Sequence, residues 1–89
     1  MKNRSRSEIV AMILNSVTAG STKSKIMYKA YLSYAQLMEY LSYMKGNDLI
    51  SYEELTQLYR ITDKGKKYMH VYTEIDEMVS SNKDEKLTV

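Results

Sequence analysis

Cysteine, proline, phenylalanine and tryptophan are all absent from the 89 residues, and only three glycines and one histidine occur. Without cysteine there can be no disulfide staple, thiolate metal site or thiol nucleophile. The lone His70 excludes a His-rich metal cluster and sits mid-helix with no acidic partner in evidence, which marks it as a structural or surface residue. No apolar run approaches the roughly 18 residues that span a bilayer. The stretch after Met1 is polar and basic and lacks the apolar centre of a secretory signal. A soluble, cytoplasmic protein with no membrane partner is expected. There is no glycine-rich phosphate loop. The pair Glu53-Glu54 falls at a predicted turn without further oxygen ligands for magnesium. No enzyme, metal or cofactor is expected.

What is present is ordinary globular composition, 44% hydrophobic and 27% charged, sufficient for one small core. The formal net charge is only +2, but it is unevenly spread. Within residues 1–31, Lys2, Arg4, Arg6, Lys23, Lys25 and Lys29 face a single carboxylate, Glu8, whereas the rest of the chain is slightly acidic. A basic front on a near-neutral chain is a polyanion footprint. Solvated lysines on ordinary helices are the competing explanation.

Apolar spacing predicts a first helix from Ser5 to Ala19, with Ile9, Val10, Met12, Ile13, Leu14 and Val17 inward and Gly20 ending it. Ser21 or Thr22 caps a short second helix through Ala30, with Ile26 buried and Met27 beside it. Ser33 and Gln36 form a capping box and Leu32 with Leu37 a hydrophobic staple, starting a third helix over 33–46. Its buried seam is Leu37, Leu41 and Met44. The opposite face carries Ala35, Gln36, Glu39, Ser42 and Tyr43, with Tyr40 at the boundary. Asp48–Tyr52 and Gln57–Ile61 read as a hairpin, with Tyr59 and Ile61 on one face and Arg60 on the other. Thr62 caps a fourth helix from Asp63 to Ser80, and Gly65 allows its close approach to a neighbour. Tyr68, Tyr72, Ile75 and Val79 follow a 4, 3, 4 spacing, the seam of a two-helix coiled coil or of a helix folded back on its own domain. The polar residues 81–89 are expected to form a flexible tail.

Nine tyrosines are the only aromatic residues, so several must enter the core; Tyr28, Tyr59 and Tyr68 are assigned there. Tyr31, Tyr34, Tyr40 and Tyr43 line the start and flank of the third helix. They suit either hydroxyls facing a nucleic acid or the rim of the core.

The predicted fold class is mainly α with a small β-hairpin, an α+β arrangement in the order of a winged helix-turn-helix. The run from Leu32 to Leu41 resembles the recognition-helix region of archaeal winged-helix regulators. Tyr59-Arg60-Ile61-Thr62-Asp63-Lys64-Gly65 is similar to their strand-to-helix junction, and so are Arg6-Ser7-Glu8-Ile9-Val10 and Lys25-Ile26-Met27-Tyr28-Lys29-Ala30. The likeness covers residues 4–80 and is nearest to archaeal ten-kilodalton DNA-binding proteins that dimerise through an antiparallel coiled coil.

That resemblance implies a DNA-binding head over residues 1–62 and a C-terminal dimerisation helix over 63–80 packed on the same domain. It implies a homodimer paired through Tyr68, Tyr72, Ile75 and Val79, and a regulator of transcription with sequence-specific or semi-specific binding to double-stranded DNA. Helix 33–46 would enter the major groove with Ser33, Tyr34, Gln36, Tyr40 and Tyr43 toward the bases. Arg4, Arg6, Lys23, Lys25, Lys29 and Arg60 would hold phosphates. A bidentate pairing of Gln36 with adenine conflicts with its capping-box role. Glu53 and Glu54 place acid at the wing tip, Glu39 lies on the groove face, and that face has no arginine, so phosphate contact should dominate. The alternative is a winged-helix protein-docking module that does not touch DNA, which suits an acidic wing and a tyrosine-rich helix.

Overall fold

A computed structural model describes the backbone of residues 4–88 and the side-chain surroundings of residues 4–79. Lys2 of the predicted basic front therefore lies outside the described residues. The elements run α1 (Arg6–Ser16), α2 (Lys23–Ala30), α3 (Tyr34–Gly46), β1 (Ile50–Glu53), β2 (Leu58–Ile61) and α4 (Asp63–Thr88). This is the expected α+β order of three helices, a hairpin and a long fourth helix.

Each of the first three helices starts on a hydroxyl cap. The Ser5 hydroxyl accepts from the Glu8 amide at 3.1 Å while the Glu8 carboxylate accepts from the Ser5 amide at 2.9 Å, a capping box absent from the sequence reading. Thr22 rather than Ser21 caps α2, accepting from the Lys25 amide. Ser33 and Gln36 form the predicted box at α3, with distances of 3.2 and 3.0 Å.

Helix α1 ends at Ser16, short of the predicted Ala19. The Val17 carbonyl accepts from the Ile61 amide of the wing and from the Gly20 amide, so the chain leaves the helix to meet the sheet. Gly20, at a φ of 89°, then turns the chain so that Ser21 exchanges two backbone hydrogen bonds with Tyr59. This bridge laces the entry of α2 to β2.

The hairpin is antiparallel, pairing Ile50 with Ile61, Ser51 with Arg60, Tyr52 with Tyr59 and Glu53 with Leu58. It is therefore shifted from the predicted spans: Asp48, at a φ of 60°, belongs to the turn after α3, and Gln57, at 58°, to the wing turn. Thr62 caps α4, accepting from the Gly65 amide at 2.9 Å. A Cβ on Gly65 would overlap the Leu49 carbonyl and come within 2.8 Å of Ile61 Cγ1, so the predicted close approach is present. Helix α4 continues to Thr88 instead of stopping at Ser80. Residues 81–88 contain no proline or glycine and include Lys, Glu and Leu, all good helix formers, so nothing local ends the helix. Val89 lies outside the described residues.

The core gathers Ile9, Val10, Ile13 and Leu14 from α1, Val17 just beyond it, Ile26 and Ala30 from α2, and Leu37, Leu41 and Met44 from α3. Leu32, Leu49, Ile50 and Tyr59 close it. Met12 and Met27 pack at its edge, as do Tyr40, Tyr68 and Met69. Of the three tyrosines assigned to the core, Tyr59 is buried and Tyr68 half-buried. Tyr28 is a correction: it is 83% exposed, because Ile26 and Ala30 hold the inner face of α2 and residue 28 falls about 200° from residue 26 around the helix axis.

Candidate nucleic-acid interface

The outer face of α3 is open. Leu37, Leu41 and Met44 turn inward, and Ala35, Gln36, Glu39, Ser42 and Tyr43 are all exposed. Ser33 sits at the tip with its hydroxyl occupied by the Gln36 amide. The Gln36 side-chain oxygen is likewise occupied by the Ser33 amide, which leaves its NH₂ group as the free donor. The capping role foreseen for Gln36 is therefore present, and a bidentate pairing of this side chain with adenine would compete with it.

Two aromatic flanks border this face. On the side of α1, Tyr40 is half-buried and Tyr43 exposed, and the Arg6 guanidinium lies 4.8 Å from the Tyr43 ring centroid and 5.9 Å from that of Tyr40. On the side of the wing, Tyr34 is exposed with the Lys23 ammonium 5.5 Å from its ring. Lys45 lies 5.9 Å from the ring of Tyr52, which packs on Tyr59 at a centroid distance of 4.6 Å. Lys45 and Tyr52 were missed by sequence reasoning. Lys45 ends a helix, where a cation is ordinary, and only the hairpin register puts Tyr52 beside Tyr59.

The predicted phosphate ligands divide. Lys25 and Lys29 stand exposed one turn apart on α2, and Lys23 reaches the start of α3. Arg4 does not extend outward. Its guanidinium donates to the Ala30 and Tyr31 carbonyls, the latter at 2.8 Å, and lies against the Met12 sulfur. There it caps the end of α2 and holds Tyr31 in a left-handed conformation, φ 54°, that tyrosine rarely adopts. Arg60 is likewise engaged, 3.5 Å from the Glu53 carboxylate and within reach of the Ala19 carbonyl. The wing therefore offers no unpaired cation among its described residues, and Leu55 at its tip is 97% exposed.

The four seam residues of α4 also divide. Tyr68 and Tyr72 are half-buried against their own domain, Tyr72 beside Met12 and Met69. Ile75 and Val79 are exposed, in line with exposed Val71 and Met78. His70, read as having no acidic partner, lies 3.6 Å from the Glu74 carboxylate one turn on, both on the exposed side of the helix.

Three phenols are held above the usual tyrosine pKa, chiefly by burial. Tyr59 is raised further by Tyr52 and Tyr34 and partly offset by the Lys23 ammonium. Tyr68 is raised additionally by Tyr43 and Tyr72, and Tyr72 by Asp76 and Glu8. All three keep their protons at neutral pH. Among the described residues no cluster of acidic or histidine side chains could hold a metal ion, and no helix is long and apolar enough to cross a membrane.

The family model for the winged helix-turn-helix matches residues 3–80. Sso10a-2, a DNA-binding protein from Sulfolobus solfataricus, superposes with a TM-score of 0.71 at 24% identity, covering 96% of this chain and 95% of that one. Lactococcus lactis ZitR, solved in complex with DNA, superposes with a TM-score of 0.52 at 23% identity, covering 99% of this chain and 75% of that one. At these identities the likeness is one of fold. A search of curated proteins finds no match.

Proposed function

The chain belongs to the winged helix-turn-helix family, and from that premise we propose that it is a double-stranded-DNA-binding regulator acting in the cytoplasm, with α3 as the element that enters the major groove. One observation carries the reading: the outer face of α3 is open from Ser33 to Tyr43, and the Lys23 ammonium lies beside its leading end. A single α-helix fits the major groove. Tyr34, the Gln36 NH₂ and Tyr43 are the side chains free to meet base edges, while Tyr40, half-buried, contributes at the margin. Lys23, Lys25 and Lys29 supply phosphate contacts. Arg6 does so over the Tyr43 ring, and Arg4 orders the turn that presents α3. Glu39 on the same face and the paired Arg60 limit affinity, so semi-specific binding dominated by phosphate is favoured.

The exposed stripe of Val71, Ile75, Met78 and Val79 supports pairing of two copies through the outer half of α4. A dimer so paired would carry a groove-binding helix at each end.

The test is a salt titration of duplex binding. Log affinity should fall against log salt with a slope near −0.9 per phosphate contacted. Lys25→Ala and Lys29→Ala should each flatten that slope by about one and weaken all sequences alike. Gln36→Ala and Tyr34→Ala should instead alter sequence preference, and identical behaviour of the two groups would displace α3 from the groove. Protein docking is the second reading, favoured by the acidic wing with Leu55 fully out in solvent. Absence of duplex binding at about 50 mM salt would select it.

A further inference from the structure

Among the described residues three other than glycine have a positive φ, Tyr31, Asp48 and Gln57, and Tyr31 is the bulkiest of them. The turn after α2 requires this backbone. With Tyr31 left-handed, its amide reaches the Met27 and Tyr28 carbonyls and the Leu32 amide reaches that of Met27. Glycine meets the requirement without strain, whereas a large side chain is costly there. The Tyr31 side chain recovers nothing by burial, being 77% exposed, and Arg4 braces the strained residue through its carbonyl. Strain kept at an unburied ring is accounted for by what the ring meets outside the molecule.

Tyr28, one turn earlier, is a second ring of this kind. The other exposed tyrosines are engaged, Tyr34 by Lys23, Tyr43 by Arg6, and Tyr52 by Lys45 and Tyr59. Over Tyr28 and Tyr31 lies no cation or aromatic ring among the described residues. Their surroundings are basic. Lys25, three residues before Tyr28, is its neighbour on the exposed face of α2, and Lys29 extends that face. Between Glu8 and Glu39 the sequence holds no carboxylate. The charge fits a polyanion better than a protein surface, and the open rings fit aromatic faces. In a duplex the faces of the bases are hidden in the stack, so only unpaired bases can use such rings.

We propose that the turn between α2 and α3 is a platform for single-stranded DNA, with bases stacked on Tyr28 and Tyr31 and phosphates held by Lys25 and Lys29. Every base has a π-face, so the platform is tolerant of sequence. Arg4 is a positioning residue here, holding the Tyr31 backbone and touching no base. The platform adjoins α3, and an unpaired stretch beside a bound duplex is the strand nearest to it. In choosing DNA over RNA the inference therefore rests on the duplex-binding reading; the rings and lysines stand apart from it.

The experiment measures binding of the full chain to labelled oligothymidylate, oligouridylate and a blunt duplex by fluorescence anisotropy. Tyr28→Ala and Tyr31→Gly should each weaken oligothymidylate binding about tenfold without changing its salt slope. Tyr28→Phe and Tyr31→Phe should stay within about twofold of the parent, because stacking needs the ring and not the hydroxyl. Lys25→Ala should flatten the slope by about 0.7. Tyr31→Gly should hold or raise the urea midpoint, which separates its loss of binding from unfolding, and should leave duplex affinity unaltered. Duplex binding without oligothymidylate binding would overturn the platform and leave the duplex reading standing. Oligothymidylate binding by a protein that ignores duplex would keep the platform and refute the duplex reading. Binding of oligouridylate alone would overturn the assignment to DNA. Phe variants as weak as Tyr28→Ala and Tyr31→Gly would replace stacking by a hydroxyl contact and overturn the inference, as would equal loss of duplex affinity in Tyr31→Gly.

Discussion

Tyrosine supplies every aromatic ring in this chain, and its two-sided chemistry is used at each depth of burial. Tyr59 sits inside with its hydroxyl at the boundary, Tyr40, Tyr68 and Tyr72 are half-buried, and Tyr28, Tyr31, Tyr34, Tyr43 and Tyr52 face solvent. Phenylalanine could fill the inner positions but would give no donor at the edge. The three phenols raised by burial carry a consequence for stability. In the unfolded chain they lose their protons near pH 10. Above that point the native state binds more protons than the unfolded one, so stability falls as pH rises, while below it nothing is lost. The urea midpoint should stay flat between about pH 7 and 9 and decline from about pH 10 upward. Tyr59→Phe, with one fewer ionisable group, should decline less steeply. A midpoint that climbed above pH 10 would contradict protonated, buried phenols. Arg4 shows the limit of residue-level reading: its sequence context is a basic amino end, but its partners are carbonyls 26 and 27 residues away.

At the scale of the element, α3 was legible in detail because its signals are local. Ser33 and Gln36 lie three apart, Leu37, Leu41 and Met44 share one face, and all five behave as their spacing requires. The box has a dual role, fixing where the helix begins and turning the Gln36 NH₂ outward. Ser33→Ala should therefore lower stability by about 1 kcal/mol, measured by chemical denaturation. It should also release the Gln36 side chain and change base preference. Lost stability with unaltered preference would separate Gln36 from recognition. The end of α1 was less legible, since Val17 and Gly20 obey a hydrogen bond from Ile61 that no local pattern announces. The wing register was hidden for the same reason. It depends on Ser21 meeting Tyr59, a contact between distant parts of the chain.

For the whole molecule, extents of 53 × 30 × 20 Å describe a head with one protruding rod. The inner part of α4 is spent on the head: Gly65 lies against Leu49, and Tyr68, Met69 and Tyr72 lean on the core and α1. Beyond Tyr72 the apolar side chains face solvent, with Ile75 56% and Val79 48% exposed. The inner half of the predicted seam thus folds back on its own head, and the outer half is left exposed. Ile75→Asp, exposed and distant from the core, should leave the head folded and convert dimers to monomers in sedimentation equilibrium. It should also weaken duplex binding, because two linked heads gain from effective concentration. An Ile75→Asp protein that sediments as a dimer would move the interface elsewhere.

The linear order of residues by itself determined the element types, the caps, the buried seams and the open face of α3, because each depends on neighbours within a turn or two of helix or a pair of strand positions. Only the tertiary structure decided where Arg4 and Arg60 spend their charge, how far α4 leans on its own head, and that Tyr59 and not Tyr28 enters the core. Those outcomes turn on groups far apart in the chain competing for the same partners, and that competition is resolved only when the core brings them together.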